Sequence, residues 1–184
     1  MNGMLWLADV RKRYADSKAQ CDRAIAQVPF EQWTHQLGPE SNSIATIMLH
    51  LSGNMLSRWT DFLTTDGEKP NRDRDGEFDN PKSLTKEQIL ARWEEGWACL
   101  FAALDGLTEA DLDRTITIRT KPMLASAAVS RQLQHYGVHT GQIVLLAKHL
   151  VGGAKWQTLS VARGASKAFN EAMARGEDPT ATHS

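Results

Sequence analysis

The run Ser43-Ile44-Ala45-Thr46-Ile47-Met48-Leu49-His50-Leu51-Ser52-Gly53-Asn54-Met55-Leu56-Ser57-Arg58-Trp59 is apolar at Ile44, Ile47, Met48, Leu51, Met55 and Trp59, and the pattern continues to Phe62. Steps of three and four gather these side chains on one side of a 3.6-residue helix. Ser43 follows the Gly38-Pro39 break and directly precedes the stripe, so its hydroxyl can accept from an otherwise unpaired first-turn amide and cap the helix. On this pattern the helix runs about six turns and ends near residues 65–67. One greasy stripe of that length cannot remain in water, so its partners must lie elsewhere in the chain.

Three other segments supply them. Leu7, Val10, Tyr14, Cys21, Ile25 and Val28 form an earlier stripe that Pro29 stops. Thr85 with Gln88 makes a capping box ahead of Ile89, Trp93, Trp97, Leu100 and Leu104, a third helix that reaches Gly106. Val129, Leu133, Tyr136, Ile143, Val144, Ala147 and Leu150 form a fourth, opened by Pro122 at a first-turn position and closed by Gly152-Gly153. Residues 69–82 read as a solvated connection, with Phe78 its one large apolar residue, and residues 108–112 as a single short turn. Asp73, Asp75, Gly76, Glu77 and Asp79 lack the register of a calcium loop. Ile116 and Ile118 alternate with polar residues as in a brief extended crossing, and a short amphipathic helix is expected over residues 165–174. The expectation is an all-α chain, an antiparallel four-helix bundle with a short C-terminal helix, in one domain over residues 1–175 with a flexible tail at 176–184.

Composition narrows the function. The chain has 184 residues with 21 Lys and Arg against 22 Asp and Glu, a formal net charge of −1, so it builds no positive field for phosphate backbones and nucleic acid is not an expected partner. Its longest apolar stretch, near residues 143–147, is far short of the ~20 residues that span a bilayer, and the first residues run into Arg11, Lys12 and Arg13 without a cleavable apolar core. A cytoplasmic protein without membrane contact is therefore expected. Cys21 and Cys99 sit at helical positions and read as small buried hydrophobes.

Chemistry enters through histidines. His135 and His139 lie four apart, which puts both imidazoles on one helix face, ~5–6 Å between Cβ atoms, within reach of one metal ion. Their row, Gln132, His135, His139, Gln142 and Leu146, runs beside the apolar stripe and leans toward the bundle interior. The second helix offers a matching row that includes His50 and Asn54, so His50 is the third candidate ligand. Three converging imidazoles are costly to bury protonated, and a divalent cation resolves that cost. Three neutral ligands with an open position describe a catalytic site better than a closed structural one. Imidazole ligation suits zinc, nickel, iron or copper without choosing between them.

Competing readings bear on each feature. A histidine pair at this spacing is common on helices without a metal. Tyr136 stands where a zinc protease would carry its glutamate, so peptidase chemistry is disfavoured. His149 is ~15 Å along the helix from His139 and belongs to the helix end; His35 and His183 have no helical phase. Trp93 and Trp97 read as core rather than as a substrate platform. Asn54 and Gln142, one turn from His50 and His139, together with Tyr136, are candidates for orienting the imidazoles or a substrate. Glu94, adjacent to Glu95, is a candidate base or supporting partner, with a solvated face as the simpler reading. Gly137 and Gly141 bare one line of the fourth helix, as at an internal crossing or a dimer seam.

At the segments Ser43 to Asn54 and His135-Tyr136-Gly137-Val138-His139-Thr140-Gly141-Gln142-Ile143, with Arg163-Gly164-Ala165-Ser166-Lys167-Ala168-Phe169-Asn170 further on, the chain resembles the DinB/YfiT-like superfamily over about residues 5–172. That resemblance implies a down-up-up-down four-helix bundle, frequent homodimers, and a divalent metal held by one histidine of the second helix and two of the fourth. Those positions are His50, His135 and His139 here. The superfamily includes thiol-dependent S-transferases and many proteins of unknown function. The expected activity is thus a metal-dependent enzyme in which zinc, nickel or iron activates water or a low-molecular-weight thiol against a small-molecule substrate, as an S-transferase or hydrolase. The alternative is a non-catalytic dimeric metal-binding or interaction bundle.

Overall fold

In the computed structural model, which describes residues 2–177, four long helices share one hydrophobic core: α1 (Gly3–Ile25), α2 (Ile44–Trp59), α3 (Lys86–Asp105) and α4 (Ala125–Val151). A two-stranded hairpin, β1 (Thr115–Ile118) and β2 (Lys121–Leu124), precedes α4, and a short α5 (Ser166–Ala174) follows it. Helix starts match the capping chemistry. Asn2 accepts from the Leu5 amide, Ser43 from Thr46, and Thr85 and Gln88 close a reciprocal box. Gly152 ends α4 at φ +80°, a conformation that a side chain resists.

Cross-helix contacts set the directions. Ser52 meets the Arg92 carbonyl while Thr60 meets Cys99, so α2 and α3 are parallel neighbours. Tyr14 donates to the Val129 carbonyl at 2.8 Å while Cys21 meets Thr140 at 3.5 Å, so α1 and α4 are parallel as well. Lys18 pairs with Glu94 while Arg11 pairs with Asp105, which sets α1 against α3. His50 faces His139 while Trp59 faces Tyr136, which sets α2 against α4. The bundle is therefore down-up-up-down.

Parallel neighbours cannot be joined by a tight turn. Between the end of α2 and the start of α3 the chain must travel back along 16 helical residues, ~24 Å at 1.5 Å per residue, and residues 60–85 make that journey. This segment departs from the solvated connection expected of it. Phe78 is half-buried, and the side chains of Arg72 and Glu77 are only 4% and 11% exposed.

Three element boundaries also differ from expectation. The second helix stops at Trp59, after about four and a half turns, because Thr60 becomes extended and Asp61 takes φ +49°. Phe62 still packs on Trp59, with ring centroids 5.0 Å apart, which is why its stripe overruns the helix. Pro122 does not open α4. It lies in β2 opposite Thr117, and α4 begins at Ala125, where the Arg114 and Leu112 carbonyls receive the first amides. The hairpin turn uses Arg119 and Thr120 at φ +54° and +62°, and the Asp66 carboxylate accepts both of their amides at 2.8 Å. The short C-terminal helix starts at Ser166 rather than Ala165. Most of the tail expected to be flexible, with His183, lies outside the described residues.

Candidate metal centre

His50 projects from the middle of α2 toward α4 and is 4% exposed; His135 and His139 project back from α4 and are half-buried. Helical phase brings all three together. Ring centroids are 5.5 Å apart for His50 and His135, 5.0 Å for His50 and His139, and 4.7 Å for His135 and His139. One nitrogen from each ring lies within 4.8 Å of the other two, so the group could hold a metal ion. The spacing also passes a stricter test. Two nitrogens bound at ~2.0–2.1 Å in tetrahedral geometry sit about 3.3 Å apart, and the facing Nε2 atoms of His135 and His139 are separated by 3.1 Å.

Two of the three remaining ring nitrogens are held by acceptors. His50 Nδ1 lies 2.9 Å from Glu77 Oε2, and His139 Nδ1 lies 2.7 Å from Gln142 Oε1. With the proton on each Nδ1, each Nε2 presents a lone pair to the cluster, the tautomer that ligation needs. The Phe78 ring lies against His50 at 4.5 Å between centroids. Burial pushes the His135 imidazolium down to about 3, and positive charge on His139 and His50 would add to that effect. His139 is lowered by burial and by His50, against the opposing effect of the hydrogen bond it donates to Gln142. Both shifts favour the neutral ring that a metal ligand must be.

Glu77 belongs to a chain of charges that runs from the bundle interior to the surface. Arg72 grips both carboxylate oxygens at 2.7 Å and lies 3.5 Å from Glu68, whose other oxygen receives Arg58 at 2.9 Å and Arg119 at 2.8 Å. Burial raises the Glu77 carboxyl, but Arg72 and His50 more than reverse that, so the net shift is downward. The bidentate pairing fixes the carboxylate plane and fastens the crossover to α2.

The other residues that the sequence singled out scatter. Gln142 is at the site. Tyr136 and Asn54 make no hydrogen bond to the imidazoles: the Tyr136 ring lies beside His135, 5.5 Å between centroids, but its hydroxyl donates to Asn54 Oδ1 at 3.0 Å and accepts from Trp59 Nε1 at 3.0 Å, deep in the core. Glu94 is exposed and pairs with Lys18 at 2.8 Å, away from the histidines. Trp93 and Trp97 are fully buried core residues. Gly137 and Gly141 have open space around them, so no internal helix crossing uses them. His149 is exposed in the last turn of α4, and Cys21 is buried with its thiol pushed up to about 11, chiefly by burial. Glu77, Arg72 and Phe78 were not anticipated, because nothing in their local spacing says which helix the crossover lies against.

Comparisons with known proteins bear on the fold. A family model described as "Protein of unknown function (DUF1572)" matches residues 2–165. No curated protein matches the chain. Among solved structures, a DinB-like protein of Bacillus subtilis, YjoA, is similar in fold with a TM-score of 0.51 at 15% sequence identity; the match covers 78% of this chain and 93% of that one. No helix among the described residues is long and apolar enough to cross a membrane.

Proposed function

We propose that this chain, which belongs to the DUF1572 family, is a cytoplasmic metal-dependent enzyme acting on a small electrophilic substrate, with water or a low-molecular-weight thiol as the nucleophile. The observation that carries the reading is the convergence of His50, His135 and His139, three imidazole donors on rigid helices that leave coordination positions free. A divalent ion such as zinc, nickel or iron, when bound, supplies the Lewis acidity that makes a water or thiol nucleophilic near neutral pH. The chain's own residues do the rest. Gln142 and Glu77 aim two of the imidazoles, Phe78 shields the His50 ring, and burial keeps His135 unprotonated.

Glu77 supports a second reading. With both oxygens engaged by Arg72 it is a poor general base, which favours a metal-bearing bundle that binds or interacts without catalysis. In either case a homodimer is proposed through the outer face of α4, where Val138 and Leu145 are 57% and 66% exposed beside the open line of Gly137 and Gly141.

Elemental analysis of protein purified without an affinity tag or chelator tests the centre. Near-stoichiometric transition metal is expected, lost when His50, His135 and His139 are all replaced by Ala. Metal that survives the triple substitution would refute the assignment. Assays of ester, amide and thiol-conjugation substrates with added zinc, nickel or manganese then separate the classes: thiol-dependent turnover supports transfer, thiol-independent turnover supports hydrolysis, and none supports the binding bundle.

A further inference from the structure

We infer that Glu77 is a positioning residue that holds the proton of His50 on Nδ1, and that Gly53 is the vacancy on α2 that admits its carboxylate. The inference deepens the metal-centre reading and rests on it for its consequence, but its geometry stands independently. Gly53 lies three residues beyond His50, on the neighbouring turn of the same helix face. Glycine inside a helix is less stable than alanine there, so its presence in mid-helix calls for a reason of space. The reason is visible: a methyl group at Gly53 would overlap Glu77, coming within 2.8 Å of its Cδ and closer still to Oε1.

The carboxylate has little freedom to step aside. Arg72 holds both oxygens at 2.7 Å, and His50 Nδ1 meets Oε2 at 2.9 Å. An ionised carboxylate only accepts hydrogen bonds, so the imidazole must donate to it from Nδ1, and the uncharged ring that ligation requires then carries its lone pair on Nε2. A histidine that could choose its tautomer would spend part of its population with Nε2 protonated and unable to ligate. The crossover thus contributes no ligand of its own to the triad, yet decides which nitrogen of His50 faces it. Phe78, the next residue, lies along the same ring and restricts its rotation.

Two variants test the inference. Gly53→Ala is helix-favouring and leaves every charge in place while displacing the carboxylate; Glu77→Gln keeps the shape and removes the charge. Nitrogen-15 NMR of metal-free protein should show wild-type His50 protonated at Nδ1 and bare at Nε2, and a mixture of tautomers in Gly53→Ala. Competition against a chromogenic chelator should show zinc bound ~10–100-fold more weakly by both variants, at unchanged helix content. Wild-type His50 with its proton on Nε2, or either variant with wild-type zinc affinity, would overturn the inference. Should wild-type protein bind no zinc, the metal reading fails while the tautomer measurement still decides the role of Glu77.

Discussion

Replacing Tyr136 with Phe separates the core from the site more sharply than any change to a histidine. Tyr136 is adjacent to His135 in sequence, yet its hydroxyl is spent between Asn54 Oδ1 and Trp59 Nε1, each 3.0 Å away, and all three side chains are at most 5% exposed. The substitution deletes one oxygen and strands two buried polar groups, each costing about 1–3 kcal/mol when unpaired. Escape of the hydroxyl from its own buried position offsets part of that, so a net loss of about 2–4 kcal/mol is expected. For a chain of this size each kcal/mol moves the melting temperature by about 2–4 °C, giving a drop of roughly 4–16 °C. Urea unfolding should show the midpoint falling with the slope unchanged. Zinc affinity, measured well below the melting temperature, should stay within about twofold, because no ring nitrogen of the triad touches the hydroxyl. Gln142→Ala is the mirror image: it removes an exposed acceptor whose partner is His139 Nδ1, so stability should move by less than about 0.5 kcal/mol while metal binding weakens by about tenfold. Intact stability with weakened zinc binding in Tyr136→Phe would refute this separation of core from site.

Two further outcomes are expected. In metal-free protein, the folded-state value of about 3 for His135 lies below the ~6.5 of a free imidazole, so between these limits the unfolded chain holds a proton that the folded one lacks, and stability falls as pH drops through that window. Urea midpoints compared at pH 7 and pH 4.5 should therefore fall less in His135→Gln than in wild type, and equal falls would contradict the burial of a neutral ring. Light scattering should give twice the chain mass for wild type and the single mass for Leu145→Lys, whose charge would sit in the proposed α4 seam; an unchanged mass for the variant would place the contact elsewhere.

The four helices were legible because each carries a long stripe at helical spacing, and two of them announce their starts through Ser43 and Thr85, residues whose side chains cap the first turn. The first strand was legible from the alternation at Ile116 and Ile118, but the hairpin was not, since Arg119 and Thr120 lack the glycine or asparagine that normally marks two left-handed residues in a row. What stabilises that turn is Asp66, distant in sequence, and no local pattern reports it. In the site the same division holds. His135 and His139 are readable from their spacing, and His50 from its place at the edge of a greasy stripe. Asn54 and Tyr136 share the histidines' neighbourhood in sequence, but they lie rotated toward the core, where hydroxyl, amide and indole satisfy one another. Gly53 was the available clue to a close approach, and Arg58, 6% exposed as the one residue of α2 with a fixed charge, was the clue to a buried acidic partner.

Topology connects the crossover to the chemistry. Because α2 and α3 run parallel as neighbours, the chain joining them must retrace the length of α2, and His50 lies midway along that helix. A down-up-down-up bundle with short loops would leave the same histidine pair facing His50 with no chain obliged to pass it. Here the return path carries Glu77 and Phe78 onto the imidazole, and it is fastened on both sides of that contact. Asp66 and Glu68 bind it to the hairpin turn, while Asn80 donates to the Thr34 carbonyl at 2.9 Å near the opposite end. Fixing both ends of the strap limits the conformational freedom left to Glu77, and an orienting carboxylate is useful only when it is itself held. The long connection is therefore part of the candidate centre: the helices bring the imidazoles together, and the path between two parallel helices determines which nitrogen of His50 they present.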